Sequence, residues 1–145
     1  MYPFNYHRPG SLADAVKLAG GDEAKIMAGG MTLLPTMKQR LAAPSDLVDL
    51  NGLGLSGIKV EGGKVSIGAM TRHADVAGSA ELKKAIPALA ELAGMIGDPM
   101  VRHRGTIGGS VANDDPAADY PSACLALGAT IVTNKREIAA DDFFV

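Results

Sequence analysis

Two glycine pairs set the terms for this chain. The first, in "AKIMAGGMTLLP", places Gly29 and Gly30 between a short apolar run with strand character and a run with helical character. The second, in "RGTIGGSVAND", places Gly108 and Gly109 directly after Thr106 and Ile107. Paired glycines at the start of a helix let the backbone turn tightly without Cβ atoms in the way. They also leave several N–H groups converging at the positive end of a helix dipole. Two readings follow. The glycines can serve only as the left-handed corner of a strand-to-helix turn, or the N–H groups, helped by hydroxyls such as Thr32, Thr106 and Ser110, can hold an anionic phosphate. Both segments, Ala28–Thr32 and Thr106–Ser110, read as loops, and two such loops in one domain suit a ligand with two phosphates, such as a dinucleotide pyrophosphate. Neither is a G-x-G-x-x-G fingerprint or a G-x-x-x-x-G-K-[ST] loop, and the missing lysine of the latter counts against an NTPase.

The chain around these pairs has 145 residues, one domain by length, and 47% of them are apolar, enough to fill a core. The net charge of −2 leaves no basic stripe for nucleic acid or an anionic membrane surface. The single cysteine, Cys124, excludes an internal disulfide and a cysteine-rich metal or iron–sulfur site. Within "SACLALGA" it reads as a buried thiol. No apolar run reaches the ~20 residues of a membrane span, and "MYPFNYHRPG" lacks the apolar core of a signal peptide. A cytoplasmic protein is the expectation.

Short strands alternate with helices, so the expected class is mixed α+β or α/β. Ser11 and Asp14 form a capping-box pair for a helix whose apolar face is Leu12, Ala15, Val16 and Ala19, stopped by Gly20–Gly21. "AKIM" and "SDLVDL" read as strands. Between them lies a helix with Thr32 as candidate N-cap and Pro35 in its first turn. "GIKVEGGKVSIGAM" reads as a hairpin about Glu61, Gly62 and Gly63. Helices follow in "TRHADVAGS" and "AELKKAIPALAELAGMIG", the second interrupted by Pro87. After the second glycine pair come a helix at about Tyr120–Leu127, a strand in "ATIVT", and the exposed-looking aromatics of "DDFFV".

Acids close to the second pair need a role away from any phosphate, because a carboxylate beside a diphosphate repels it. Asp119, thirteen residues beyond Thr106, is placed either to meet a more distant part of a ligand or to cap the following helix. Asp114 and Asp115 precede Pro116 and suit an Asx turn. No further carboxylate or histidine joins them, so no metal site is expected. His7, His73 and His103 are isolated in the sequence, and no catalytic acid–base pair or nucleophile is apparent. Arg102 and Arg104 either lend positive potential to a diphosphate or are simply solvated.

Several segments together carry a family resemblance: "FNYHRPGSLADAV", "AGGMTLLPTMKQRLAAPSDLVDL", "VSIGAMTRHADV" and "VRHRGTIGGSVANDDPAADYPSACLALGAT". Over nearly its whole length the chain resembles the FAD-binding (medium) subunit of aerobic carbon monoxide dehydrogenase and related molybdenum hydroxylases, which have the p-cresol methylhydroxylase-like FAD-binding fold. The resemblance implies that residues 1–145 are an FAD-binding domain. It implies that Ala28, Gly29, Gly30, Met31 and Thr32, with Thr106, Ile107, Gly108, Gly109 and Ser110, hold the FAD diphosphate through backbone amides and hydroxyls. It implies that Asp119 contacts the ribityl side of the flavin and that Asn113 lies near the cofactor, with Gly68, Ala69 and Thr71 in a segment close to the flavin. Met31 stands where the family often has histidine. Medium subunits are about twice this length, so the end of the FAD domain and a whole C-terminal domain are expected outside these residues. The implied function is electron transfer. Substrate is oxidised at molybdenum on a large subunit, and electrons pass through iron–sulfur clusters on a small subunit to FAD here and on to an external acceptor. The isolated chain is not expected to be active alone. The alternatives are a non-redox nucleotide-binding module or a scaffolding remnant without stable FAD binding.

Overall fold

Three short parallel strands make the N-terminal sheet: β1 (Asn5–His7), β2 (Ala24–Met27) and β3 (Asp46–Asp49). The computed structural model describes residues 1–144. The strand order is β1-β3-β2, so the last strand in sequence is the middle one in space. Flanked on both edges, β3 buries Leu47, Val48 and Asp49. Helix α1 (Leu12–Leu18) links β1 to β2, and α2 (Leu33–Lys38) links β2 to β3. The capping box of α1 forms as the sequence implies: Ser11 Oγ accepts the Asp14 N–H at 3.1 Å and donates to the Asp14 carboxylate at 2.6 Å. Of its expected apolar face only Ala15 is buried, while Leu12 and Val16 are exposed, because the helix meets the sheet chiefly at β3. Thr32 takes the N-cap position of α2, yet its side chain caps nothing.

Because the three strands run parallel, the segments leaving their C-terminal ends emerge along one edge of the sheet. These are residues 8–10, 28–32 and 50–54. In open α/β sheets that edge is where ligands bind.

The second half is built on a hairpin, β4 (Ile58–Glu61) and β5 (Lys64–Ile67), turned by Gly62 and Gly63 with both φ angles positive, as a primed turn requires. Helices α3 (His73–Gly78), α4 (Ala80–Ala85) and α5 (Pro87–Met95) follow. The break at Ile86 is the expected effect of Pro87 on the residue before it. Next comes α6 (Pro99–Arg104), which the sequence reading lacks although its signal is present. Asp98 caps the N–H groups of Met100 and Val101, and Pro99 fills the first helical position. Helix α7 (Ile107–Asn113) contains the second glycine pair, and α8 (Asp119–Ala126) follows. The expected strand β6 (Thr130–Val132) pairs with a further strand, β7 (Glu137–Ala139), before the short α9 (Ala140–Phe143).

The core of this half gathers Val76, Leu82, Leu89, Ala90, Ala93, Val111 and Tyr120. Ile107 packs against it, as the sequence suggests. Cys124 does too, but it is half-buried rather than enclosed, and burial pushes its thiol pKa up. The aromatics near the C-terminus also depart from expectation. Phe143 and Phe144 fold back on the core, meeting edge to face with centroids 5.0 Å apart, rather than standing exposed. Val145 lies outside the described residues. Among the described residues no helix is long and apolar enough to cross a membrane.

Candidate functional site

The two glycine pairs, far apart in sequence, lie against each other. A Cβ built on Gly29 would fall 2.2 Å from the Arg104 carbonyl oxygen and 2.8 Å from Gly105 Cα, and one on Gly109 would fall 3.5 Å from Ala28 Cβ. Gly29 is therefore pressed onto the junction between α6 and α7, and only glycine allows that approach. Gly30 supplies the left-handed corner, with φ of 76°. Beneath the second pair runs the segment Gly68–Thr71. The Gly108 N–H donates to the Ala69 carbonyl at 2.9 Å and the Ile107 N–H to the Thr71 carbonyl at 3.0 Å. A Cβ on Gly108 would collide with the Ala69 backbone at 2.7 Å.

The two segments differ in one respect that bears on ligand binding. Thr106–Ser110 is not a loop but the N-cap and first turn of α7, and the N–H groups of Ile107, Gly108, Gly109 and Ser110 already have acceptors. Besides the two bonds to the segment below, the Gly109 N–H donates to Thr106 Oγ1 at 3.1 Å and the Ser110 N–H to the Thr106 carbonyl at 3.0 Å. In the first segment the N–H groups of Gly29, Gly30, Met31 and Thr32 donate to nothing among the described residues. The side-chain hydroxyls of Thr32 and Ser110 are likewise uncommitted. Four successive free N–H donors at a helix start, with two free hydroxyls, match the chemistry of a diphosphate, so the residues present fit that part of FAD.

The acids are arranged as a division of roles. Asp115 Oδ1 accepts the Ala117 N–H at 2.9 Å, the Asx turn read from the sequence. Asp114 ends α7 in the left-handed region, with φ of 47°. Asp119 does not cap α8. Ala118 holds the cap position, and the exposed Asp119 carboxylate has no hydrogen-bond partner among the described residues. Asn113, the last residue of α7, is also exposed.

Two features escape a linear reading. His73 is buried, its ring stacked on Tyr120 with centroids 5.2 Å apart and its Nδ1 3.3 Å from the Tyr120 hydroxyl. Burial holds its imidazole pKa below the ordinary value and pushes the Tyr120 phenol up. The pair is a buttress: the His73 ring packs so close to Gly105 that a Cβ there would fall 2.6 Å from its Nε2, and the His73 backbone N–H donates to the Gly105 carbonyl at 3.0 Å, beside the contact with Gly29. His7, also isolated in the sequence, lies 2.6 Å from the Asp46 carboxylate and ties β1 to β3. His103 is exposed, and Arg102 spends its guanidinium on the Ile96 carbonyl. The second feature is Asn51, just past β3. Its side-chain amide donates to the Ala28 carbonyl at 3.1 Å and to Asp49 Oδ1 at 2.6 Å. Asn51 also borders a small cavity of about 210 Å³ with Leu50, Leu55, Met70 and Arg72, which none of the candidate phosphate-holding residues lines. Thr32 is exposed, and Gly29, Gly30 and Met31 are half-buried. No group of three metal-ligating side chains exists among the described residues.

Residues 2–145 match the family described as FAD binding domain in molybdopterin dehydrogenase. The chain belongs to this family. Over 98% of its length it is 45% identical to the carbon monoxide dehydrogenase medium chain of Hydrogenophaga pseudoflava, covering 52% of that protein. It is 41% identical to the glyceraldehyde dehydrogenase medium chain of Sulfolobus acidocaldarius, over 99% of this chain and 54% of that one. Among solved structures, carbon monoxide dehydrogenase from Hydrogenophaga pseudoflava lacking the Mo-pyranopterin moiety of its cofactor matches with a TM-score of 0.94 and 46% identity, over 98% of this chain and 52% of that one. The mixed helix–strand fold is thus that of an FAD-binding domain of this family. The chain spans about half the length of the relatives it matches. These relatives are named as dehydrogenase chains, and the alternative of a non-redox module or scaffold has no support from them.

Proposed function

We propose that this FAD-binding domain belongs to the electron-transfer subunit of a molybdenum-containing dehydrogenase or hydroxylase. In that assembly electrons arrive from iron–sulfur clusters on a small partner subunit, after substrate oxidation at molybdenum on a large one, and leave to an external acceptor. The observation that carries the reading is the run of free N–H groups from Gly29 to Thr32, set against the glycine-rich start of α7. When bound, FAD supplies the redox chemistry, and the protein supplies binding, orientation and exclusion of competing reactions.

In this reading the two segments divide the work. Residues Ala28–Thr32 hold the diphosphate, with backbone N–H donors and the Thr32 hydroxyl. Residues Thr106–Gly109 brace that segment, and Ser110 adds its hydroxyl. Asn113 and Asp119, whose side chains have no partners among the described residues, reach the more distant parts of the cofactor, where a carboxylate meets hydroxyl and N–H donors rather than phosphate. Met31 lines the segment without offering a strong hydrogen bond. Relatives named for carbon monoxide and for glyceraldehyde are 45% and 41% identical to this chain over nearly its whole length, so we assign the domain no substrate specificity. A cytoplasmic location accords with a single, unpaired cysteine.

A visible absorption spectrum of the purified protein, taken after incubation with excess FAD and desalting, tests the proposal. A retained flavin band, with a melting temperature that rises with FAD concentration, is expected. A colourless protein whose melting temperature ignores FAD would count against it.

A further inference from the structure

We propose that Asn51 is the positioning residue that aims the first glycine segment at its ligand. The inference rests on the FAD-binding reading above and extends it to a residue outside both glycine segments.

The peptide between Ala28 and Gly29 carries the first of the free donors on its nitrogen. In a trans peptide the carbonyl and the N–H point in opposite directions, and no cis peptide occurs among the described residues. Asn51 Nδ2 holds the Ala28 carbonyl at 3.1 Å. Fixing that oxygen toward Asn51 turns the Gly29 N–H the other way, and that N–H is the first of the four free donors. The side-chain orientation is unambiguous, since both groups facing Nδ2, the Ala28 carbonyl and the Asp49 carboxylate, can only accept.

Asn51 is itself held on every side. Its own N–H donates to Asp49 Oδ1 at 2.8 Å, and its carbonyl accepts from Arg8 Nε at 3.1 Å. The buried Asp49 accepts in turn from the Tyr6 hydroxyl. The ends of all three parallel strands are thus joined through Asn51 and Asp49 together: the Asn51 side chain ties Ala28, at the exit of β2, to Asp49 of β3, its backbone carbonyl takes Arg8 from the exit of β1, and Asp49 takes Tyr6 of β1. The charges suit an anion. Asn51 interposes a neutral donor between the Asp49 carboxylate and the glycine segment. The Arg8 guanidinium beside it has no carboxylate within ion-pair distance among the described residues.

FAD titration by flavin fluorescence tests this on wild type, Asn51→Ala and Asn51→Asp at pH 8 and pH 5, together with each protein's melting temperature without FAD. At pH 8, Asn51→Ala should bind FAD about tenfold more weakly, as loss of one well-placed hydrogen bond predicts. Its FAD-free melting temperature should stay within about 3 °C of wild type. Asn51→Asp should bind still more weakly at pH 8, where two carboxylates face each other. It should regain affinity at pH 5, where a proton restores a donor toward the Ala28 carbonyl. Asn51→Ala should show no such recovery. Unchanged affinity in Asn51→Ala while wild type binds, or no recovery in Asn51→Asp, would overturn the role of Asn51 alone. A wild type that fails to bind FAD would bring down the FAD reading itself, and this inference with it.

Discussion

At the scale of the residue, Asp119 separates structure from function. It opens α8 without capping it, and its exposed carboxylate has no partner among the described residues. Removing an exposed, unpartnered side chain usually changes stability by no more than about 0.5 kcal/mol, whereas removing a hydrogen bond made by a charged group costs about 1.5–3 kcal/mol. Asp119→Ala should therefore leave the melting temperature almost unchanged and weaken FAD binding by about tenfold or more. Calorimetry paired with FAD titration reads both, and a melting temperature several degrees lower with intact affinity would return Asp119 to a structural role. Asp119 was legible in the sequence through the motif that contains it. Asn51 was not, because its meaning comes from Ala28, Asp49 and Arg8, which the fold brings to it from three strand exits. Nothing in "DLNGLG" distinguishes it from an ordinary turn residue.

At the scale of the element, the glycines serve packing as much as ligand. The Arg104 carbonyl stands where a Gly29 side chain would begin, and both are backbone, so neither can swing aside. Gly29→Ala should cost at least about 2 kcal/mol of stability, as overpacking does, measured as a lowered urea midpoint without FAD. An Ala variant as stable as wild type would mean that the α6–α7 junction yields easily. A lost cofactor in any Gly29 variant thus needs a stability measurement beside it. Local signals gave the elements that are locally determined: the capping box of α1, the Pro87 break and the diglycine hairpin. The second glycine segment read as a loop because two successive glycines each disfavour helix by about 1 kcal/mol. Its helix is sustained by tertiary bonds from Ile107 and Gly108 to Thr71 and Ala69, which no local pattern encodes. Strand β7 was missed because Ile138 stands alone between Glu137 and Ala139, whereas β6 is a β-branched run of Thr130, Ile131 and Val132.

At the scale of the whole molecule, the buttress of His73 and Tyr120 makes stability depend on pH. Burial lowers the folded-state pKa of His73 below 6.5. An unfolded chain then takes up the proton at a higher pH than the folded one, so stability is full above about pH 6.5 and falls as pH drops toward the folded value. His73→Phe keeps a ring on Tyr120 and removes the titration. The urea midpoint of wild type should drop relative to the variant between pH 7 and pH 5, and parallel profiles would show that the imidazole is indifferent to its burial. The class and family were legible at this scale because both glycine motifs survive in order. The fold-back of Phe143 and Phe144 was not, since their apolar character suits a core and a surface patch equally.

The strand order has a consequence in time. β1 and β2 each pair only with β3, which lies between them in space but after both in sequence. As the chain leaves the ribosome at about 5–20 residues per second, its first strand waits roughly 2–8 s for residues 46–48 to be synthesised. No part of the parallel sheet can zip up before then. The hairpin of β4 and β5, by contrast, closes within about 1–10 μs of its emergence. The sheet edge that presents residues 28–32 is therefore a late assembly on a chain whose later pieces are self-starting, and β3 is the strand whose arrival begins it.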